Sequence, residues 1–388
     1  MTATINLPKI MQIGAGAINA LPDTLVSLGC QYPFIITDST MVALGYTDKI
    51  TELLSAQGIR YGIFSDTMAE PSEDSILPAV ELVRQDKYDC LLALGGGSAI
   101  DTAKAIALLA THGGTMRDYK MPNPVNIRCM PVIAIPTTAG TGSEATQATI
   151  ITDAKTDEKM LCMGPGLMPM AAIVDYELTL SLPLRIAADT GIDALTHAIE
   201  AYVSRKANLF SDQQAIAAMK LIGQNLLTTC QDAKDLAARE AVMLGATLAG
   251  IAFSNASVAL VHGMSRPLGV HFHVPHGLSN AMLLPTVTEY SIASAPQRYA
   301  QCALHMGLID NIEDEKLAHG ALLKQLRLIN LTLKVPSLAE FGVQKEVFFN
   351  ALPLMAEQAL ASGSPNNNPR LVSKDEIIAL YKLAWAGG

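Results

Sequence analysis

An α/β N-terminal half built on a mainly parallel sheet, followed by an all-helical C-terminal half, is the architecture this sequence predicts. Three observations carry it. Short buried apolar runs alternate with amphipathic helical periods over the first 180 or so residues, strand-like runs then nearly vanish, and the remaining long stretches keep a three-and-four apolar spacing. At 388 residues, half of them hydrophobic and 16% charged, the chain has apolar mass for two cores. That balance excludes a disordered chain.

FIIT (34–37), CLLAL (90–94) and PVIAIP (131–136) read as buried strands, each followed by small or polar residues. EDSILPAVELVRQ (73–85) and DTAKAIALLATHGG (101–114) have helical periods, and strand, helix, strand repetition implies parallel pairing with helices on both faces. AADTGIDALTHAIEAYVS (187–204), QQAIAAMKLIGQNLLTT (213–229), LAAREAVMLGATLAGIAF (236–253) and DEIIALYKLAW (375–385) are helical, and SGSPNNNPR (362–370) is a polar loop. A boundary at 180–185 follows, giving domains 1–182 and 183–388. The uncharged stretch 241–265 is long enough to span a bilayer, but its Ser, Asn, His and small residues suit one helix buried in protein.

A net charge of −9 without any Lys/Arg run argues against nucleic acid and anionic membrane, leaving small molecules as partners. Six scattered cysteines without a CxxC pair, and an N-terminus without a basic leader or apolar core, predict a cytoplasmic protein with reduced thiols.

Gly95, Gly96 and Gly97 lie between a buried strand and a helix opening near Ser98. Backbone without Cβ atoms, at a helix start with free N–H groups, can seat a pyrophosphate; the GxGxxG spacing of the common Rossmann fingerprint is absent, so a plain strand-to-helix turn is the competing reading. PTTAGTGSE (136–144) follows another strand, and Thr137, Thr138, Thr141 and Ser143 offer hydroxyls to the same ligand. Asp38 ends the strand FIIT, where a carboxylate accepts from ribose hydroxyls and repels a 2′-phosphate.

Asp193 and His197 are four apart in a helical period, hence on one face one turn apart. The surrounding helix is apolar, which turns the pair inward, and a buried carboxylate needs a partner. HGMSRPLGVHFHVPHG (262–277) can supply it: with His262 and His276 the set becomes one oxygen and three nitrogen donors, suited to Fe²⁺ or Zn²⁺. Spacing alone does not exclude His271 or His273.

GGGSAIDTAKAIA, PTTAGTGSE, GIDALTHAIEAY, AFSNA and HGMSRPLG…PHGLSNAMLLP, in this order over residues 38–285, resemble the iron-containing (group III) alcohol dehydrogenases, which share a dehydroquinate synthase-like fold. The resemblance implies a nucleotide-binding N-terminal domain, a helical C-terminal domain and an active site in the cleft between them. It assigns the metal to Asp193, His197, His262 and His276 and leaves His271 and His273 out. It implies that the GGGS loop with Asp101, the TTAGT loop, Ser143, Lys159 and the segment around Leu178 line NAD, with Asp38 favouring NAD over NADP, and that Phe253 lines the substrate pocket. The implied activity is that of an NAD-dependent, Fe²⁺- or Zn²⁺-dependent alcohol dehydrogenase or aldehyde reductase, a homo-oligomer of two or more chains, passing a hydride between a small primary alcohol or diol and the nicotinamide. A lyase on the same fold would need several Lys and Arg for a phosphorylated, carboxylated substrate, and the helical half is poor in both.

One position departs from that pattern. Many relatives carry a second histidine four residues after the His262 position, and here it is Arg266. A permanent cation one helical turn from a metal ligand is repelled unless an anion intervenes. Arg266 therefore meets either a cofactor phosphate or structural carboxylate, or an acid group on the substrate; the latter makes this a hydroxyacid or semialdehyde dehydrogenase. Glu70 and Tyr176 also depart from residues common in relatives, asparagine and proline respectively.

Overall fold

The computed structural model describes residues 2–156 and 158–385. The chain divides between Leu182 and Pro183 into two compact units.

In the first unit, strands β1 (Ile10–Ile13), β2 (Pro33–Ile36), β3 (Gly62–Phe64), β4 (Cys90–Gly95), β5 (Val132–Pro136) and β8 (Ala171–Val174) form a parallel sheet in the order β1-β8-β5-β4-β2-β3. Helices α1 (Leu21–Leu28), α2 (Ser39–Ala43), α3 (Tyr46–Ala56), α4 (Glu73–Gln85) and α5 (Gly97–His112) cover it. The apolar runs split by alternation: Phe34, Ile36, Leu91, Ala93 and Ala134 pack with α4 and α5, while Ile35, Leu92, Leu94, Ile133 and Ile135 pack with α1 and α3. Each such large side chain stabilises the fold by roughly 1.5–3 kcal/mol on burial.

The winding reverses between β2 and β4, so a crevice lies at their carboxyl ends, where Asp38 and the glycine loop sit. Three strands of the sheet, β1, β3 and β8, each three or four residues long, escape the sequence reading. An antiparallel pair, β6 (Ala148–Asp153) with β7 (Glu158–Met163), escapes it too, since half of each strand faces outward.

The second unit holds α6 (Leu184–Val203), α7 (Leu209–Gln231), α8 (Leu236–Ser254), α9 (Leu260–Phe272), α10 (His276–Ile292), α11 (Pro296–His305), α12 (Glu315–Thr332), α13 (Lys345–Ala361) and α14 (Lys374–Trp385). Helix α8 is long and apolar enough to cross a membrane, yet it is mostly buried and packs against α6 and α7.

The stretch 241–265 is not one helix. It breaks after Ser254 and restarts at Leu260, so His262 belongs to the first turn of α9 and does not end α8. Polar side chains hold the break: Asn208 Nδ2 donates to Asn255 O at 2.8 Å, and Asn367 Nδ2 donates to Ser257 Oγ at 2.7 Å. Periodicity is blind to such partners.

Candidate active site

Helix α6 contributes Asp193 and His197, the first turn of α9 contributes His262, and the first residue of α10 is His276. Their four donor atoms all lie within 4.8 Å of one another. Asp193 Oδ1 is 3.9 Å from His197 Nε2, 3.4 Å from His262 Nε2 and 3.7 Å from His276 Nε2. Ions held by such donors at about 2.0–2.2 Å bring them to spacings near these, so the residues fit a borderline divalent metal. Gly277 lets α10 approach α6, because a Cβ there would meet Asp189 O at 2.4 Å.

Burial opposes a charge on Asp193, but the imidazoles around it, His197 foremost, hold its carboxyl well below the usual carboxylate range. Burial also opposes a charged His262, yet hydrogen bonds to Asp193 and Glu200 push it up to about 9. The site thus sets its imidazoles against two buried carboxylates, Asp193 and Glu200. It opens at His276, whose side chain is 45% exposed, whereas His197, His262 and Asp193 are 6%, 4% and 3% exposed.

Two residues of this site escape the sequence reading. Glu200 accepts from Ala259 N at 2.7 Å and Val261 N at 2.6 Å, and its Oε2 lies 2.7 Å from His262 Nδ1. With Nδ1 donating to that carboxylate, Nε2 keeps its lone pair for an ion. The spacing Asp193, His197, Glu200 is itself one helix face and would have pointed to it. Asn280, one turn after His276, donates from Nδ2 to Asp193 Oδ1 at 2.6 Å and lies 3.2 and 3.3 Å from the Nε2 atoms of His262 and His276.

Phe253 stacks on His197, with ring centroids 4.3 Å apart and planes at 20°, and His197 stacks in turn on His262 at 4.4 Å. His271 and His273 stand apart from the cluster: His271 Nε2 lies 2.7 Å from Gln358 Oε1, and exposed His273 is the left-handed C-cap of α9 at φ 54°. Arg266 is half-buried and, among the described residues, makes neither a hydrogen bond nor an ion pair.

In the first unit the two candidate cofactor loops lie side by side. Thr137 N donates to Gly95 O at 3.0 Å, and a Cβ on Gly97 would come within 2.8 Å of Thr141 Cγ2. Gly96 caps α5 without any side chain, so the first N–H groups of the helix stay available to an anion. Asp38 Oδ1 caps α2 through Thr40 N and Met41 N, while Oδ2 would be 3.5 Å from a Cβ at Gly95.

Several residues expected along the cofactor also make contacts within the first unit. Leu178 is 2% exposed and belongs to the core with Leu92 and Ile173, so its side chain packs against the sheet. Asp101 Oδ2 accepts from Ile150 N at 3.0 Å and ties α5 to β6, and Ser98 Oγ donates to Ala69 O. Lys159 Nζ pairs with Glu70 Oε1 at 3.1 Å, which accounts for the acid at position 70. Thr137 is fully buried, whereas Thr138, Thr141 and Ser143 are half-buried on the loop.

Lys104, unremarked in the sequence, holds that loop from beneath. Its ammonium donates to Ser143 O at 2.7 Å, Thr146 O and Ala148 O at 2.8 Å, and Thr146 Oγ1 at 3.1 Å.

Residues 8–176 match the family described as iron-containing alcohol dehydrogenase, and residues 187–385 match the C-terminal domain of the Fe-containing alcohol dehydrogenase family. The chain is 35% identical over 376 residues to lactaldehyde reductase of Escherichia coli K12, covering 96% of this chain and 97% of that protein. It is 34% identical over 381 residues to the NAD-dependent methanol dehydrogenase of Bacillus methanolicus, covering 97% and 98%. Among solved structures, a 1,3-propanediol oxidoreductase superposes with a TM-score of 0.95 at 31% identity, covering 99% of this chain and 100% of that one.

Proposed function

Because the chain belongs to the iron-containing alcohol dehydrogenase family and is therefore an oxidoreductase of alcohols and aldehydes, we propose that it interconverts a small primary alcohol or diol and its aldehyde using NAD and one divalent metal, Fe²⁺ or Zn²⁺. The observation that carries this reading is the convergence of one carboxylate and three imidazole nitrogens from three helices. When bound, the ion supplies Lewis-acid polarisation of the substrate oxygen and the dinucleotide supplies the hydride acceptor.

The chain's own residues do the rest. Asp193, His197, His262 and His276 hold the ion, Glu200 keeps the His262 proton on Nδ1, and Phe253 fixes the plane of the His197 ring. The exposed flank at His276 leaves room for a substrate to enter. In the first unit, the Gly95–Gly97 loop and the start of α5 seat the pyrophosphate, and Asp38 Oδ2 accepts from the adenosine ribose hydroxyls, which favours NAD.

The test is NADH formation at 340 nm with primary alcohols and diols, on protein stripped by chelator and reloaded without oxygen. Turnover that returns with Fe²⁺ or Zn²⁺ supports the reading. Turnover that survives complete removal of metal, or no NAD reduction with any alcohol, refutes it.

A further inference from the structure

Every other arginine that is not exposed has at least one hydrogen-bond or ion-pair partner among the described residues. Arg185 donates to Leu333 O at 2.8 Å, Arg239 Nε to Ala233 O at 2.9 Å, Arg298 Nε to Tyr202 O at 2.7 Å, and Arg370 pairs with Glu376 at 3.0 Å. Arg266 alone among these described residues has no such partner. Its nearest counter-charge is Glu200, and both oxygens of that carboxylate are taken, Oε1 by Val261 N and Oε2 by Ala259 N and His262 Nδ1. Burial accordingly depresses the guanidinium below its ordinary value. A half-buried guanidinium with no counter-ion of its own is costly to desolvate further, and the chain itself provides no anion to meet it.

Arg266 follows His262 by four residues on α9, so the two share a face one turn, about 5.4 Å, apart. We infer that Arg266 binds an acid group carried by the substrate, and that the alcohol this enzyme oxidises is a short hydroxy acid. This rests on the alcohol dehydrogenase reading above and narrows it. A hydroxyl at the His262 cluster and a carboxylate at Arg266 are spanned by roughly three or four C–C bonds. The planar guanidinium matches a carboxylate with two parallel hydrogen bonds, which fixes the far end of the molecule. A cofactor phosphate is the other source of an oxyanion, but the seat proposed above for the pyrophosphate is the uncapped start of α5. In the redox step the carbinol C–H bond breaks and its electron pair leaves as hydride to the oxidised nicotinamide. The hydroxyl proton goes to water, a C=O forms, and the acid group is unchanged.

Wild type, Arg266→Met and Arg266→Lys, each loaded with the same metal and NAD, are compared on 4-hydroxybutyrate and butane-1,4-diol, which differ only at the end remote from the reacting hydroxyl. Wild type favours the acid in kcat/KM, and the acid-to-diol ratio falls roughly ten- to a hundredfold in Arg266→Met, with a smaller fall in Arg266→Lys. Calorimetric binding of butyrate to the metal-loaded enzyme weakens by a similar factor. An unchanged ratio with unchanged butyrate binding overturns the inference, and an unchanged ratio with NADH affinity about tenfold weaker overturns it in favour of a cofactor phosphate. If wild type turns over neither compound, butyrate binding alone decides the role of Arg266: loss in Arg266→Met upholds it, no binding to wild type ends it, while the alcohol dehydrogenase reading fails separately only where no alcohol at all reduces NAD. Should Arg266→Met not fold, as judged by its melting curve, Arg266→Lys carries the same comparison.

Discussion

Glu200 Oε2 lies 2.7 Å from His262 Nδ1, and the same carboxylate receives the backbone N–H groups of Ala259 and Val261. One buried acid on α6 therefore both caps the start of α9, which has no side-chain cap of its own, and sets the tautomer of the histidine in its first turn. Local structure and ligand chemistry are joined at that point. Removing the acid must disturb both.

Glu200→Gln preserves the shape but places an amide N–H against donors. Metal affinity measured by chelator competition falls about ten- to a hundredfold, and unfolding stability drops by roughly 1–3 kcal/mol. Metal binding unaltered in this variant would show that His262 needs no such partner.

His276→Ala takes away the exposed member of the cluster. Bound iron or zinc, quantified by elemental analysis after anaerobic reconstitution, falls at least about tenfold, with turnover lost in parallel. A variant that keeps full metal and full activity would sink the proposed centre.

Asn280→Ala removes the 2.6 Å hydrogen bond to Asp193 and leaves Oδ1 of that buried carboxylate with the imidazoles alone, His262 Nε2 at 3.4 Å nearest. The cost is about 1–3 kcal/mol in urea unfolding of metal-free protein. Metal affinity weakens less than in His276→Ala, because Asn280 orients a ligand and is not one. Equal losses in the two variants would contradict that division.

Lys104 is fully buried, and burial lowers its ammonium to about 8. The unfolded chain keeps that proton to about 10.4. Unfolding therefore takes up a proton between these values, so this group's contribution to stability grows as pH rises through the window and is lost as pH falls toward 8. Urea midpoints of wild type should rise relative to Lys104→Met between pH 8 and 10. Parallel curves would mean that the four oxygen acceptors keep the lysine charged throughout.

Asp38→Gly tests the cofactor side. Oδ1 is committed to the cap of α2, so the substitution costs some stability there, while loss of Oδ2 removes the group that repels a 2′-phosphate. The NADP-to-NAD ratio of kcat/KM rises by about tenfold or more. No change in that ratio would place the ribose elsewhere.

What the sequence by itself determined is what local geometry carries. The alternation in PFII and CLLALG dictates two-faced burial in a parallel sheet, and the spacing of Asp193 and His197 dictates a shared helix face, since both periods follow from backbone geometry within one element. Glu200 was legible by the same rule. The tertiary structure alone decided which distant side chains converge. His262 and His276 meet Asp193 because three helices pack together with Gly277 against Asp189, while His271 and His273, only residues away, end beside Gln358 and at a helix cap. The break between Ser254 and Leu260, the burial of Leu178 and the lack of a partner for Arg266 among the described residues likewise depend on neighbours remote in the chain, which no local period records.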